Sequence, residues 1–174
     1  MFRVLLAPHD TLLPRVVRGV GLEGFEHLVA EFVAANKSAE ATIQWVLEPR
    51  RDTAKSQFVV LVPSRPILAA RVHMTAHVHR EPFKYGFSLI LGGTHRILGL
   101  DVNPGRSHVN FTDLGRDPVS CTHWQAWPEN VAEPDDRERS HHQWFREFCK
   151  RSRIAFSGSY RSPPHLGGQQ LRLL

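Results

Sequence analysis

Residues 84–103, KYGFSLILGGTHRILGLDVN, carry the strongest β-strand signal in the chain. Two apolar runs, partly alternating with polar residues, flank the dipeptide Gly92-Gly93. Paired glycines are typical of the two-residue turn of a β-hairpin, because glycine adopts positive φ without steric cost. The pattern therefore predicts two antiparallel strands, over residues 84–91 and 94–103, joined by this turn.

A regular hairpin turn also determines which residues face each other across the two strands. Gly86 is expected opposite Gly99, and Lys84 opposite Asp101. The apolar side chains then share the core face, and they are Tyr85, Phe87, Leu89, Leu98 and Leu100. The opposite face is polar, and its glycines leave part of the backbone without side chains above it. Its two glycines form either a shallow trough that a ligand can approach or a crowded bend in a curved sheet.

A third strand is predicted over residues 68–79, just before the hairpin. Its period of two separates apolar from polar side chains, and the polar face carries Arg71, His73, Thr75, His77 and His79. His77 and His79 are near neighbours on that face. Such a pair can share a metal ion, or it can be part of a solvated polar face that happens to use imidazole.

Weaker signals extend the pattern to both sides of this region. Apolar residues recur at helical spacing from Gly21 to Asn36, which predicts an amphipathic helix. A last amphipathic helix is predicted over 137–152, capped by Asp135 or Asp136. The other predicted elements are strands over 41–47, 58–62 and 120–127 and a long loop over 103–119.

The order of helix, strands and helix predicts an α+β fold. Its antiparallel sheet is expected to be a meander of about five to six strands, flanked by an N-terminal and a C-terminal amphipathic helix. Residues 1–156 are expected to form a single domain, in which 1–18 are irregular or strand-like. Residues 157–174 are rich in Gly, Pro and Ser, and we expect a disordered tail there.

The composition is that of an ordinary folded domain. The chain has 174 residues, of which 41% are hydrophobic and 22% charged, so wholesale disorder is excluded. No apolar run approaches the ~20 residues that cross a bilayer. Cys121 and Cys149 are too few for a disulfide framework. The N-terminal residues are too interrupted for a secretory signal, so we expect a cytoplasmic protein without a membrane partner.

The charge balance points to an acidic partner. The net charge is +5, and 18 of the 22 basic residues are arginine, whose guanidinium suits phosphate. Nucleic acid or an acidic protein is the partner that this composition favours, although a GC-rich genome explains the arginine excess equally well. Signatures of nucleotide-binding loops, nucleophile elbows and zinc proteases are missing.

A polar loop follows the second strand of the hairpin. Pro104-Gly105 is a strong turn signal, and the turn brings together Asp101, Asn103, Arg106, His108 and Asn110. An Asp that orients a His, with an Arg alongside, suits general acid–base catalysis on a phosphodiester. The alternative is an Asx-rich loop whose side chains satisfy the backbone.

The short strand THWQAW, residues 122–127, adds His123 and two tryptophans. Trp124 and Trp127 can stack on nucleic-acid bases or belong to the core. The last predicted helix has a basic face, which carries Arg146, Lys150 and Arg153. These five residues are the predicted nucleic-acid-binding set.

Two stretches, RILGLDVNPGRSHVN over 96–110 and THWQAW over 122–127, give residues 84–127 a resemblance to TumE-like bacterial toxins. In that pattern a strand leads into a Pro/His/Asn loop and a second His-containing strand follows, which matches Arg96, Asp101, His108, Asn110 and His123 here. The paired histidine of the TumE loop is replaced by Ser107-His108. The resemblance implies a ribonuclease-like toxin with a cognate antitoxin, or a relative carried by a prophage or mobile element.

A second resemblance is to the cupins. His77-x-His79 and the later Pro104-Gly105-x-x-His108 are similar to the two cupin metal motifs, although Glu81 comes too early and the second spacing differs. This resemblance implies a divalent metal held by His77, His79 and His108.

The leading hypothesis is a ribonuclease that needs no metal cofactor and acts on RNA. His108 and His123 are expected to be its acid and base, and Asp101 to orient a histidine. Arg96 or Arg106 would stabilise the phosphorane, with Lys84 contributing and Asn110 alongside. The alternatives are a non-enzymatic module that binds nucleic acid or a partner protein through its basic C-terminal helix, and a cupin-like metal-binding protein.

Overall fold

The computed structural model describes residues 22–48, 52–79, 84–104, 108–112, 115–119 and 121–165. The N-terminal segment 1–18 and the predicted catalytic residue Arg106 lie outside these ranges, as does the end of the predicted tail from 166 onwards.

Two helices and eleven strands form the described chain. In order they are α1 (Leu22–Ala34), β1 (Lys37–Thr42), β2 (Val46–Glu48), β3 (Thr53–Val62), β4 (Arg65–His77), β5 (Tyr85–Leu91), β6 (His95–Val102), β7 (His108–Thr112), β8 (Gly115–Val119), β9 (Thr122–Ala126), β10 (Ala132–Pro134), α2 (His141–Arg151) and β11 (Ile154–Ser159). Neither of these helices is long and apolar enough to cross a bilayer.

Most of the strands belong to one mixed sheet. Its order is β10-β9-β6-β5-β4-β3-β1-β11, with β2 also paired to β3, and all pairs are antiparallel except β1 with β11. The hairpin β7–β8 is a separate sheet. The predicted α+β class with a mostly antiparallel sheet and two helices is confirmed. The expected strand count of five to six is wrong, since the main sheet alone has nine strands within the described ranges.

The central hairpin β5–β6 has a different register from the expected one. Leu91 pairs with His95 across a three-residue turn, and a bulge shifts the pairing again between Leu89 and Ile90. Gly86 therefore faces Asp101 instead of Gly99. The shift is two residues beyond the bulge, so residues 98–101 keep their predicted faces. Before the bulge the shift is one residue, and Arg96 therefore shares the polar face with its partner Ile90.

The apolar face of the sheet packs against α2. The predicted helix stripe of Trp144, Phe145, Phe148 and Cys149 is buried. Phe148 stacks on Phe87 of β5, with ring centroids 5.5 Å apart, and on Trp124 of β9, at 6.2 Å. The apolar side chains of the predicted third strand, Val72, Met74 and Ala76 in β4 and Val78 just after it, are buried as well. The polar face of the sheet is thus the one that α2 leaves uncovered.

The start of α2 differs from the predicted one. Ser140 is the N-cap and forms a capping box with Gln143, so the helix begins at His141. Asp135, one of the two expected caps, instead accepts hydrogen bonds from the Trp124 indole and from Arg137. These bonds lower the pKa of Asp135 to about 2, with the Arg137 side chain as the main cause.

The strand after α2 includes part of the predicted tail. β11 runs parallel to β1, and its residues 157–159 pair with residues 40–42. Gly158 has a φ of 120°, and a Cβ at this position would lie 2.1 Å from the carbonyl oxygen of Ala41. The close approach of the two strands therefore requires glycine there.

Candidate functional site

A cleft of about 370 Å³ opens on the polar face of the sheet, above β4, β5, β6 and β9. It is lined by Thr75, His77, Lys84, Tyr85, Gly86, Arg96, Asp101, Val102, Asn103, His108, His123 and Gln125. The lining contains histidines, two permanent cations and one carboxylate. The cleft is therefore polar and predominantly basic, and paired strands of the main sheet form its floor.

The strand register creates this cleft. Gly86 of β5, Asp101 of β6 and His123 of β9 are direct partners in neighbouring strands, so they share one face of the sheet. Their chain neighbours point the other way, and Leu100 and Trp124 are both buried in the core. The apolar packing of one face thus fixes the positions of the polar groups on the other.

Arg96 lies across the backbone of Gly99. Its Nη2 is 2.7 Å from Oδ2 of Asp101, and its Nη1 donates to Oε1 of Gln125 over 3.1 Å. A Cβ on Gly99 would lie only 1.9 to 2.2 Å from the guanidinium atoms. The missing side chain of Gly99 is therefore what allows the guanidinium to lie flat between its two acceptors.

Two imidazoles are in contact beside this ion pair. The rings of His108, from β7, and His123, from β9, have centroids 4.7 Å apart and an interplanar angle of 37°. His123 is 6% exposed, and its Nε2 lies 3.8 Å from Oδ2 of Asp101. Asp101 is consequently shared between a guanidinium and an imidazole.

The floor of the cleft is thin at Gly86. A Cβ there would lie 3.1 Å from Oδ1 of Asp101 and 3.3 Å from Oγ1 of Thr75. Both contacts are tight, so a larger residue would press on the carboxylate. The expected trough exists, although Gly86 and Gly99 lie diagonally to each other instead of face to face.

Lys84 and His77 form the outer end of the cleft. The backbone amide of His77 donates to the carbonyl of Lys84 over 2.9 Å, which holds β4 and the start of β5 together. Lys84 was expected opposite Asp101, and although Gly86 has that position, Lys84 still lines the same cleft. Tyr85 directs its hydroxyl to the carbonyl of Arg139, and burial raises its pKa.

No protein-family model, curated protein or solved structure matches this chain. The chemistry of the cleft is therefore the basis for inferring function. Two adjacent imidazoles can accept and donate a proton in one reaction. A guanidinium held by a carboxylate and an amide can stabilise negative charge that develops beside them.

Five of the predicted catalytic residues line this cleft together, and they are Lys84, Arg96, Asp101, His108 and His123. Sequence analysis missed Gln125, which orients Arg96. A neutral amide has no chemical signature of its own, but Gln125 is two residues after His123 in the same strand. That spacing places both side chains on one face, and it is the signal that identifies Gln125.

Asn110 was expected among the catalytic residues, but it does not line the cleft. Its side chain is buried, donates to the carbonyl of Ala132 over 3.0 Å and accepts from the Ala132 amide over 2.9 Å. Both functional groups of the Asn110 amide are thus used to fasten β7 to β10.

The two predicted base-stacking tryptophans are packing residues. Trp124 is 2% exposed and donates its indole N–H to Asp135, so its ring is not accessible to a base. Trp127 is half-buried and packs edge-on against Phe25, with ring centroids 6.2 Å apart. Neither tryptophan lines the cleft, and both have the packing role that was the alternative for them.

The basic face of α2 lies on the far side of the sheet from the cleft. Arg146 and Lys150 are exposed there. Arg153 follows the helix and donates to the carbonyl of Ala34, at the end of α1, over 2.7 Å. These cations form a second positive surface that is separate from the histidine pair.

The residues of the metal hypothesis are not gathered in one place by the described structure. His77 and His108 line the cleft, whereas Nε2 of His79 lies 3.9 Å from Oδ1 of Asp52. Within the described ranges, no three His, Cys, Asp or Glu side chains are grouped closely enough to hold a metal ion.

Proposed function

We propose that this protein is a ribonuclease that cleaves RNA by histidine acid–base catalysis. The observation that supports it most is the contact between the His108 and His123 rings, 4.7 Å apart, beside the Arg96–Asp101 pair. Acid–base cleavage of a phosphodiester needs a proton acceptor, a proton donor and a cation within reach of one phosphate. The cleft supplies all three groups.

The reaction is an internal transesterification. His123 takes the proton of a ribose 2′-hydroxyl, and the 2′-oxygen attacks phosphorus while the bond from phosphorus to the 5′-oxygen breaks. His108 donates a proton to the departing 5′-oxygen. The products are a 2′,3′-cyclic phosphate and a 5′-hydroxyl. His123 is the base because Asp101, 3.8 Å away, stabilises the imidazolium that proton uptake creates.

Arg96 and Lys84 stabilise the phosphorane. The negative charge on the non-bridging oxygens grows as the 2′-oxygen attacks, so a fixed guanidinium favours the transition state over the ground state. Arg96 is held by Asp101 and Gln125 before substrate binds. This fixed position reduces the reorganisation that the reaction requires.

The resemblance to TumE-like toxins adds a biological context to the proposal. A ribonuclease that acts on cellular RNA harms its own cell unless it is inhibited. A cognate antitoxin, which covers the cleft or its basic surroundings, is therefore the proposed protein partner.

The histidine variants test the proposal. His108→Ala and His123→Ala should each reduce the cleavage rate of single-stranded RNA by about 10² to 10⁴, the usual contribution of an acid or base. His27→Ala is the matched control, because His27 is exposed on α1. Cleavage should persist with chelator. Full activity in both cleft variants, with circular dichroism showing an intact fold, would contradict the proposal.

The exposed cations of α2 favour a second candidate function, which is binding of nucleic acid without cleavage. Arg146 and Lys150 are accessible on the side of the sheet that lies away from the cleft. In this case Arg146→Gln and Lys150→Gln should weaken RNA binding and reduce its salt dependence, whereas His123→Ala should leave binding unchanged.

A further inference from the structure

A second cleft lies next to the first on the same face of the sheet. Its volume is about 550 Å³, and its lining includes Lys55 and Gln57 of β3, together with His73 and Thr75 of β4. Thr75 also lines the catalytic cleft. The two clefts are therefore neighbouring parts of one continuous surface.

The strand register shows how this surface runs. Lys55, Thr75, Gly86, Asp101 and His123 are successive partners across β3, β4, β5, β6 and β9. Neighbouring strands are about 4.8 Å apart, so four steps place Lys55 roughly 19 Å from His123. A single row of residues thus leads from the histidine pair to the second cleft.

The second cleft is lined by one cation, Lys55, and one carboxylate, Glu48. Burial lowers the pKa of His73, and the nearby cations Arg71 and Lys55 lower it further. Lys55 is 46% exposed, and its Nζ lies 2.9 Å from Oε1 of Glu48. Lys55 is therefore an accessible cation at the end of the row. A phosphate can compete with the Glu48 carboxylate for the Lys55 ammonium.

We propose that the second cleft binds the part of a single-stranded RNA that extends beyond the cleaved bond. This inference rests on the proposed function and specifies its substrate. The backbone crosses the sheet along the row from His123 to Lys55, where a phosphate contacts the Lys55 ammonium. Gln57 and neutral His73 supply hydrogen-bonding groups for the bases.

The dimensions of the surface select a single strand. A row of five strands, about four strand spacings long, accommodates roughly two or three nucleotides, whose unstacked bases lie against it. Cavities of about 300 to 1,000 Å³ enclose single small ligands, so a cleft of this size takes individual nucleotides and not a duplex. The protein should therefore prefer single-stranded RNA, and longer oligonucleotides over those that fill only the catalytic cleft.

Oligonucleotide length is the variable that tests this inference. A fluorescent dinucleotide with a single phosphodiester and a decanucleotide, both 2′-O-methylated to prevent cleavage, are titrated with the protein and followed by anisotropy. For Lys55→Gln, the Kd of the decanucleotide should rise about fourfold at physiological salt, because one phosphate contact is lost. The slope of log Kd against log salt should become shallower by about 0.7. The Kd of the dinucleotide, whose single phosphate lies at the histidine pair, should not change.

Two further variants complete the design. Glu48→Gln removes the competing carboxylate and should tighten decanucleotide binding. Arg65→Gln is the matched control, because Arg65 is also an exposed cation of the sheet that pairs with a carboxylate, Glu31 of α1, and it should leave both affinities unchanged. Equal effects of Lys55→Gln on both lengths, or an equal effect of Arg65→Gln, would overturn the inference.

The binding and cleavage measurements together show whether RNA binding in the second cleft fails or the ribonuclease activity fails. The protein can cleave RNA in a way that depends on His123 while Lys55→Gln leaves both affinities unchanged. That result would refute RNA binding in the second cleft and leave the ribonuclease proposal standing. If decanucleotide binding depends on Lys55 but natural RNA is not cleaved, the binding path is supported and the ribonuclease proposal is refuted.

Discussion

Gly99 is the residue on which the position of Arg96 depends. The guanidinium occupies the space where any other residue would place its Cβ. It lies there because Asp101 and Gln125 accept its hydrogen bonds from either side. A small residue with no chemistry of its own is therefore a determinant of the site.

We expect Gly99→Ala to displace Arg96 and to reduce RNA cleavage by about a hundredfold, the cost of misplacing a catalytic group by about 1 Å. The free energy of unfolding should change little, because the clash involves the end of a flexible side chain. Gly86→Ala is a milder comparison, because its Cβ would lie 3.1 Å from Oδ1 of Asp101. This substitution should reduce the activity less than Gly99→Ala does. Equal rates for wild type and Gly99→Ala would show that the position of Arg96 is unimportant.

Asp101 has two partners, which are Arg96 and His123. Asp101→Asn keeps the size of the side chain but removes the charge that stabilises the His123 imidazolium. The value of kcat should fall by about a hundredfold or more, while KM changes little. Asp136→Asn, at an exposed position before α2, is the control. A change in KM alone would assign Asp101 to substrate binding.

At the scale of the elements, α2 is the part that covers the apolar face of the sheet. It carries a buried histidine, His141, in its first turn. The imidazole lies among aromatic rings, including Tyr85 and Phe87, and its Nδ1 is 2.6 Å from the hydroxyl of Tyr160. Burial, and secondarily the charge of His142, lowers the pKa of His141 to about 3.

This shift makes stability depend on pH in the acid range. In the unfolded chain a histidine takes up a proton near pH 6.5, whereas folded His141 stays neutral down to about pH 3. The unfolded state therefore binds more protons between these values, so stability is fully present above pH 6.5 and falls as the pH drops below it. The free energy of unfolding falls by about 1.4 kcal/mol for each pH unit in this range.

His141→Gln removes this titration, and the prediction is that it flattens the pH dependence of unfolding. Urea unfolding at pH 7 and pH 5 measures the effect. From pH 7 to pH 5, the free energy of unfolding should fall by about 2 kcal/mol more for the wild type than for the variant. His27→Gln, which removes an exposed imidazole, should behave as the wild type does. Parallel losses in His141→Gln and the wild type would contradict the assignment.

At the scale of the whole molecule, the sequence predicts best what depends on local periodicity. The hairpin β5–β6 and the alternating faces of β4 follow from a period of two, and residues 98–101 keep their faces despite the register shift at Leu89 and Ile90. The site was predictable for the same reason, because Asp101 and His123 lie on strands whose core-facing neighbours are apolar.

The elements that the sequence analysis missed are held by long-range pairing. β10 has three residues, and β11 pairs with β1 across more than a hundred residues of chain. β7 and β8 lie in a segment that the sequence predicts to be a loop. Val109 and Phe111 alternate with polar residues in β7, but this pattern covers only five residues, and the Pro and Gly residues around it favour a loop. The packing of Asn110 was not predictable because its backbone partner, Ala132, lies on the short strand β10.

The central claim is that the cleft cleaves RNA through its 2′-hydroxyl with two histidines. It is tested most directly with a DNA oligonucleotide that contains a single ribonucleotide, incubated with wild type and His123→Ala in the presence of chelator. Mass spectrometry of the products should show one cut, directly after the ribonucleotide, which leaves a 2′,3′-cyclic phosphate with the wild type alone. Cutting at deoxynucleotides, loss of cleavage with chelator, or no cut by the wild type would contradict the claim.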